Sequence, residues 1–187
     1  MLPTADSLLA IYLNDHFAGA LAGAELAGRA AAANRPDPRF GPTLSALAGE
    51  IREDRDSLRR LMSELDIGID RAKQLGAWAA EKLGRLKLNG RLLAYSPLSR
   101  VEELEGLRLG VTGKRMMWVA LHELSSIAPT ASVRSGEVEQ LRSLAELGEV
   151  PGGGFSELIE RAERQLEAIE DCHARAVGET FAALSDR

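Results

Sequence analysis

Residues 42–65 read PTLSALAGEIREDRDSLRRLMSEL, and their spacing decides the fold. Leu44, Leu47, Ile51, Leu58, Leu61, Met62 and Leu65 recur every three or four positions, the period of a helix with one buried face. Between Ile51 and Leu58, where that face needs another apolar side chain, stands Asp54. An unpartnered polar group in such a place costs on the order of several kcal/mol, so Asp54 must find a partner, water or a metal.

The same period continues on both sides. Upstream, a helix is predicted from about Asp6 to Ala33, with Leu9, Tyr12, Leu13, Ala20, Ala24 and Ala27 on its stripe. His16 interrupts this stripe between Leu13 and Ala20, with Gly19 and Gly23 nearby, while Asn14, Asp15, Glu25 and Arg29 are assigned to the wet face. The run NRPDPRFGP (34–42) carries three prolines and a glycine and enforces a loop, and Pro42 suits the first turn of the helix that follows.

Downstream, a third helix is predicted over about Asp70–Leu88, ending at Asn89-Gly90. A fourth covers about Ser99–Ile127, with Leu104, Leu107, Val111, Trp118 and Leu121 inward and loosening expected at Gly106, Gly110 and Gly113. Lys114 and His122 lie at its margins, where Lys114 either reaches a buried carboxylate or extends to solvent, the usual outcome. A short helix is expected over Ser135–Leu147, then a flexible break at GEVPGGG (148–154), then a last helix over about Phe155–Leu184. Its stripe is read as Leu158, Ile159, Ala162, Leu166, Ile169, Ala176, Val177 and Leu184, with His173 central, Glu170 at its edge and Cys172 off centre.

Strand alternation is almost absent, so the fold class is all-α: an antiparallel helical bundle in one domain, 1–187, with a loop and short-helix insertion at 128–154. A chain of 187 residues that is 45% hydrophobic and 27% charged can bury a sizeable core. Only 4% is aromatic, so Leu, Ala, Val and Ile must fill that core. A net charge of −5 argues against nucleic-acid binding, and the local basic run Lys82, Arg85, Lys87 and Arg91 reads as a solvated helix face. Cys172 is the single cysteine, which fits a reducing compartment. Polar residues break every apolar window of the first helix, so no membrane span is expected, and the cytoplasm is the expected location.

Long paired helices, carboxylates along them and the spacing Glu170-xx-His173 together resemble the ferritin-like superfamily. The resemblance implies a four-helix bundle in which two helices each give a Glu and two give a Glu-xx-His pair to a metal centre. Here Glu170 and His173 match the last-helix pair. The second helix offers Glu50, Glu53 and Asp54 but no histidine, the first offers only Glu25 on its wet face, and the fourth offers Glu103 or Glu105. The match covers the architecture, and the metal motif is incomplete.

These observations lead to three functional expectations. The first is a non-enzymatic bundle acting through self-association, as a dimer, or through a protein partner. The second is a metal protein holding Fe or Zn through His16, Asp54, Glu170 and His173, a His/carboxylate set suited to those ions. The third is a small-molecule-binding bundle with a pocket beside Gly19 and Gly23. No motif for covalent catalysis is present, and the sequence names no cofactor.

Overall fold

The computed structural model describes residues 8–70, 95–127, 143–144 and 154–182. Four long helices make up nearly all of it: α1 (Leu8–Asn34), α2 (Gly41–Glu64), α3 (Pro97–Ile127) and α4 (Phe155–Ala182), with no strand among the described residues. The helix expected over 70–88 lies, apart from Asp70, outside the described residues. So does the one expected over 135–147, apart from Ser143 and Leu144, which are helical.

Local chemistry sets the ends of α2. Gly41 N–H donates to the Asp37 carbonyl at 2.7 Å, and a Cβ on Gly41 would meet the carbonyl oxygens of Asn34 and Arg35 at 2.9 Å. Only glycine permits a turn this tight, and Pro42 follows where a missing N–H is harmless. At the other end Asp66 takes a left-handed φ of 53°, Asp66 N–H donates to Ser63 O and Ile67 N–H to Met62 O. That paired pattern caps the last carbonyls, and Ile67 and Met62 both join the core beneath it. By contrast, α3 runs unbroken through Gly106, Gly110 and Gly113, so packing overrides the loosening expected there.

Helix α1 packs on α2 and α3, α3 packs most extensively on α4, and α2 touches α4 only slightly. Pairings along α3 and α4 run in opposed order: Arg100 with Glu179, Glu105 with His173, Arg108 with Glu170, Arg115 with Glu163, and the rings of Trp118 and Phe155. Between α1 and α3 the order is also opposed, with Arg100 Nε donating to Asn34 Oδ1 at 2.6 Å and Arg29 facing Glu103 at 3.8 Å.

Two helices are phased differently from the sequence expectation. In α1, Asn14 is buried rather than wet: it donates to Ala10 O and Gly68 O and accepts from Asp70 N–H, tying the start of α1 to the segment after α2. In α4 the buried line is Phe155, Ala162, Gln165, Ile169, Cys172 and Ala176. It lies about one residue earlier than the expected stripe, which leaves His173 at the margin and Cys172 inside.

The core is not continuous. One apolar cluster, including Phe40, Leu44, Leu47, Ile51, Leu104, Val111, Ile169 and Cys172, fills the end near the α1–α2 turn. A second, including Leu13, Phe17, Leu58, Met62, Met117, Trp118 and Phe155, fills the other end, with Leu144 added from outside the four helices. Along α2 the division falls between Ile51 and Leu58, and along α3 between Val111 and Met117. Asp54 and Lys114 occupy those two gaps.

Candidate functional site

Asp54 is the centre of a polar layer across the bundle. Its side chain is 1% exposed. Lys114 of α3 donates to Oδ2, and Gln165 Nε2 of α4 donates to the same oxygen at 3.0 Å. Lys114 also donates to Gln165 Oε1, which fixes the amide so that its nitrogen faces the carboxylates, and Nε2 reaches Glu50 Oε2 at 3.1 Å. Arg161 of α4 pairs with Asp54 Oδ1 at ion-pair distance, although the approach lacks hydrogen-bond geometry and leaves that oxygen without a directed donor. Arg161 extends as far as Glu53, at 3.9 Å.

The layer thus holds one nearly inaccessible carboxylate between two cations, one amide and two carboxylates at its edge. Such a network is tolerable in a core only when its members satisfy one another. Burial pushes the Lys114 ammonium below its usual pKa, and Asp54 and Glu50 oppose that shift by favouring the charged form.

Helix α1 contributes no side chain of size to this layer. At its level stand Gly19, Ala20 and Gly23, and facing them on α3 stand Gly110 and Gly113. A Cβ on any of these four glycines would have nothing within 4 Å, so they leave open space; only Gly106, 3.0 Å from Leu26 Cδ2, marks a close helix approach. The space is a cavity of about 230 Å³ between α1, α2 and α3. Exposed Asp15, Gly19, Leu109 and Gly110 surround its mouth, whereas Asp54, Leu58, Leu107, Val111, Met117 and Trp118 form its buried interior. Trp118 Nε1 is buried and, among the described residues, has no hydrogen-bond partner.

His16 lines the same cavity. Its ring packs edge-on against Tyr12 with centroids 4.5 Å apart, and burial lowers its pKa against the opposing pull of Asp15, which favours a neutral imidazole. Of the four residues expected to hold a metal, the structure brings His16 and Asp54 to one cavity. It places Glu170 and His173 on the α3–α4 surface, where Arg108 Nε donates to Glu170 at 2.9 Å and His173 Nε2 faces Glu105 at 3.2 Å. Among the described residues, no three His, Cys, Asp or Glu side chains are grouped so as to hold a metal ion. Among the described residues, then, the ligands that a ferritin-like centre needs are not gathered in one place.

Lys114 takes the inward of its two expected courses. Arg161 and Gln165 of α4 supply the remaining partners, whereas Arg55, next to Asp54 in sequence, and Arg115, next to Lys114, pair with Asp56 and Glu163. A three–four repeat through Ala162, Gln165, Ile169, Cys172 and Ala176 is present in the sequence, but hydrophobicity favours Leu166 over Gln165 and so rotates the apparent face.

Among the described residues, site and fold together define four long helices with a charged layer at mid-core and a cavity on one side of it. Compared with protein-family models, curated proteins and solved structures, the chain matches none.

Proposed function

We propose that the protein is a small-molecule-binding helical bundle whose ligand enters between α1 and α3 and rests against the Asp54–Lys114 layer. The observation that carries this reading is the open space itself. Five small residues at one level of two facing helices leave about 230 Å³ beside charged groups that are otherwise excluded from water. Apolar walls with a few convergent polar groups are the usual make-up of a ligand pocket. A cavity of about 150 Å³ already holds a benzene-sized molecule, so the volume is sufficient.

The reading includes an antiparallel bundle of ferritin-like descent whose ancestral metal level has become a ligand cavity. The opposed residue order along α1–α3 and α3–α4 supports it. Self-association is a second reading, favoured by the exposure of Leu109 (75%), Met116 (55%) and Leu8 (80%).

The test is a thermal-shift screen of small amphipathic metabolites on wild type and on Gly19→Leu/Gly23→Leu, which fills the cavity from α1. A true occupant raises Tm with the logarithm of its concentration above Kd, reaching about 2.7 kcal/mol of added stability at a hundred times its Kd. It should leave the filled variant unmoved. Stabilisers that act equally on both proteins would show that the cavity is not the binding site.

A further inference from the structure

Resting on the reading of the cavity as a ligand site, we infer that its occupant is a small monocarboxylic acid with an apolar body. The carboxylate would lie against Lys114 and Trp118, and the body along Leu58, Leu107 and Met117.

The inference follows from which polar capacity the layer leaves unspent. A lysine ammonium has three N–H donors. Two of them go to Asp54 Oδ2 and Gln165 Oε1, so among the described residues one remains on a side chain that lines the cavity. Trp118 is 1% exposed and lines the cavity, and among the described residues its Nε1–H has no acceptor. Indole nitrogen is a donor only, so its missing partner must be an acceptor. Both donor-bearing side chains line one cavity, so an occupant that brings an acceptor can meet them, whereas Asp54 Oδ1, the lining's acceptor without a directed donor, is already paired in charge with Arg161.

Charge points the same way. Asp54 is the one nearly inaccessible carboxylate at the layer, and it is shared between Lys114 and Arg161. The three groups together carry one excess positive charge; Glu50 and Glu53 stand at the edge of the layer, outside the cavity lining, and the lining's other charged residues, Asp15 and Arg55, cancel. A carboxylate entering from the α1 side would neutralise that excess and form charge-assisted bonds away from water, where they are strongest. An amine would meet Lys114 with like charge. An alcohol would supply an acceptor but no charge.

Octanoate, 1-octanol and octylamine share one chain and differ only at the head, so they separate these cases. Calorimetric titration into the full chain should give octanoate binding at least about tenfold tighter than 1-octanol, and no binding of octylamine, since a charge-assisted bond in a dry site outweighs a neutral one. Lys114→Met should bring octanoate and 1-octanol to similar Kd values, with circular dichroism confirming the fold. Trp118→Phe, which keeps the ring and removes the donor, should weaken octanoate more than 1-octanol. Gly19→Leu/Gly23→Leu should abolish binding of both.

Equal affinity of wild type for octanoate and 1-octanol would overturn the assignment of a carboxylate while leaving the cavity as a binding site. Failure of both to bind, or binding that survives the filled cavity, would overturn the cavity reading along with it.

Discussion

Two sets of carboxylates meet basic side chains only a few turns apart. At mid-core, Asp54 meets Lys114 and Arg161 with its side chain 1% exposed. On the outer seam between α3 and α4, Arg108 meets Glu170 with side chains 57% and 53% exposed, and His173 meets Glu105. Water solvates the seam whether or not its pairs form. Nothing but the partners solvates Asp54. The comparison teaches that position on the helix, rather than the identity of a side chain, decides whether a carboxylate is an energetic keystone or surface decoration.

The largest expected effect tests the buried member. Asp54→Ala leaves Lys114 and Arg161 beside each other without their shared anion, and removing one partner of a buried ionic group costs roughly 3–5 kcal/mol. Denaturant unfolding should show this as a lower midpoint with an unchanged slope. Replacing the layer as a whole should act in the opposite direction. Asp54→Leu, Lys114→Met, Arg161→Met and Gln165→Leu together join the two apolar clusters, and substitutions of this kind are neutral or stabilising by about 1–4 kcal/mol. If the combined variant is as damaged as Asp54→Ala alone, the layer specifies the packing register of the four helices and is not simply a tolerated cost.

The buried lysine also gives the layer a pH signature. Its folded-state pKa lies below the ordinary value of 10.5, chiefly through burial. Between that lowered value and 10.5 the unfolded chain holds a proton that the folded chain does not, so the contribution of Lys114 to stability rises with pH across this window. Tyr95, whose phenol burial pushes up to about 12, acts in the opposite sense: its contribution is present below pH 10 and is lost as pH rises to about 12. Unfolding measured from pH 8 to 11 on wild type and Lys114→Met separates the two. The difference between the proteins should grow with pH, and a flat difference would contradict the burial of Lys114.

Glycine substitutions sharpen the comparison at lower cost. Gly19→Ala places a methyl in open space within a helix interior, where alanine is favoured over glycine by about 0.5–1 kcal/mol. Gly41→Ala drives a methyl against two backbone oxygens at 2.9 Å and should destabilise. A pair of glycines in the same half of the chain therefore answers the same substitution with opposite signs.

Much of this architecture was legible in residues 42–65. Every expected stripe residue of α2 is buried, and Asp54 sits inward as its spacing required. The apolar positions of α2 are large and regular, so the period fixes its phase. Helix α1 is rich in Ala and Gly, and its phase was harder to read because small residues face either way at little cost. Asn14 was accordingly assigned to water, although it bonds to the chain after α2. In α4 the true face passes through Gln165 and Cys172, and only a tertiary partner, Lys114 and Asp54 for the glutamine, makes that face preferable to one through Leu166 and His173. The cavity could not be read from α1 alone, since Gly19 and Gly23 suit close helix approach and open space equally well. Which of the two occurs depends on Gly110 and Gly113, about ninety residues further along the chain.

The smallest expected effect falls on the pair that looked most like chemistry. Glu170 and His173 lie one turn apart on α4, the spacing that would aim two ligands at one metal, yet each is engaged across the seam with an α3 residue. Exposed pairs of this kind contribute about 0–1 kcal/mol, because water competes for both partners and long side chains lose freedom in pairing. Glu170→Ala and His173→Gln should each shift the unfolding midpoint only slightly, and the double variant should be nearly the sum of the two, since their partners Arg108 and Glu105 are different residues. A loss from His173→Gln approaching that of Asp54→Ala would mean that this imidazole is held in the interior after all, with α4 turned by about one residue. Gln165 would then leave the layer and Lys114 would lose its second acceptor, so the same measurement on Gln165→Leu, costly in the arrangement described and harmless in the rotated one, decides between the two phases.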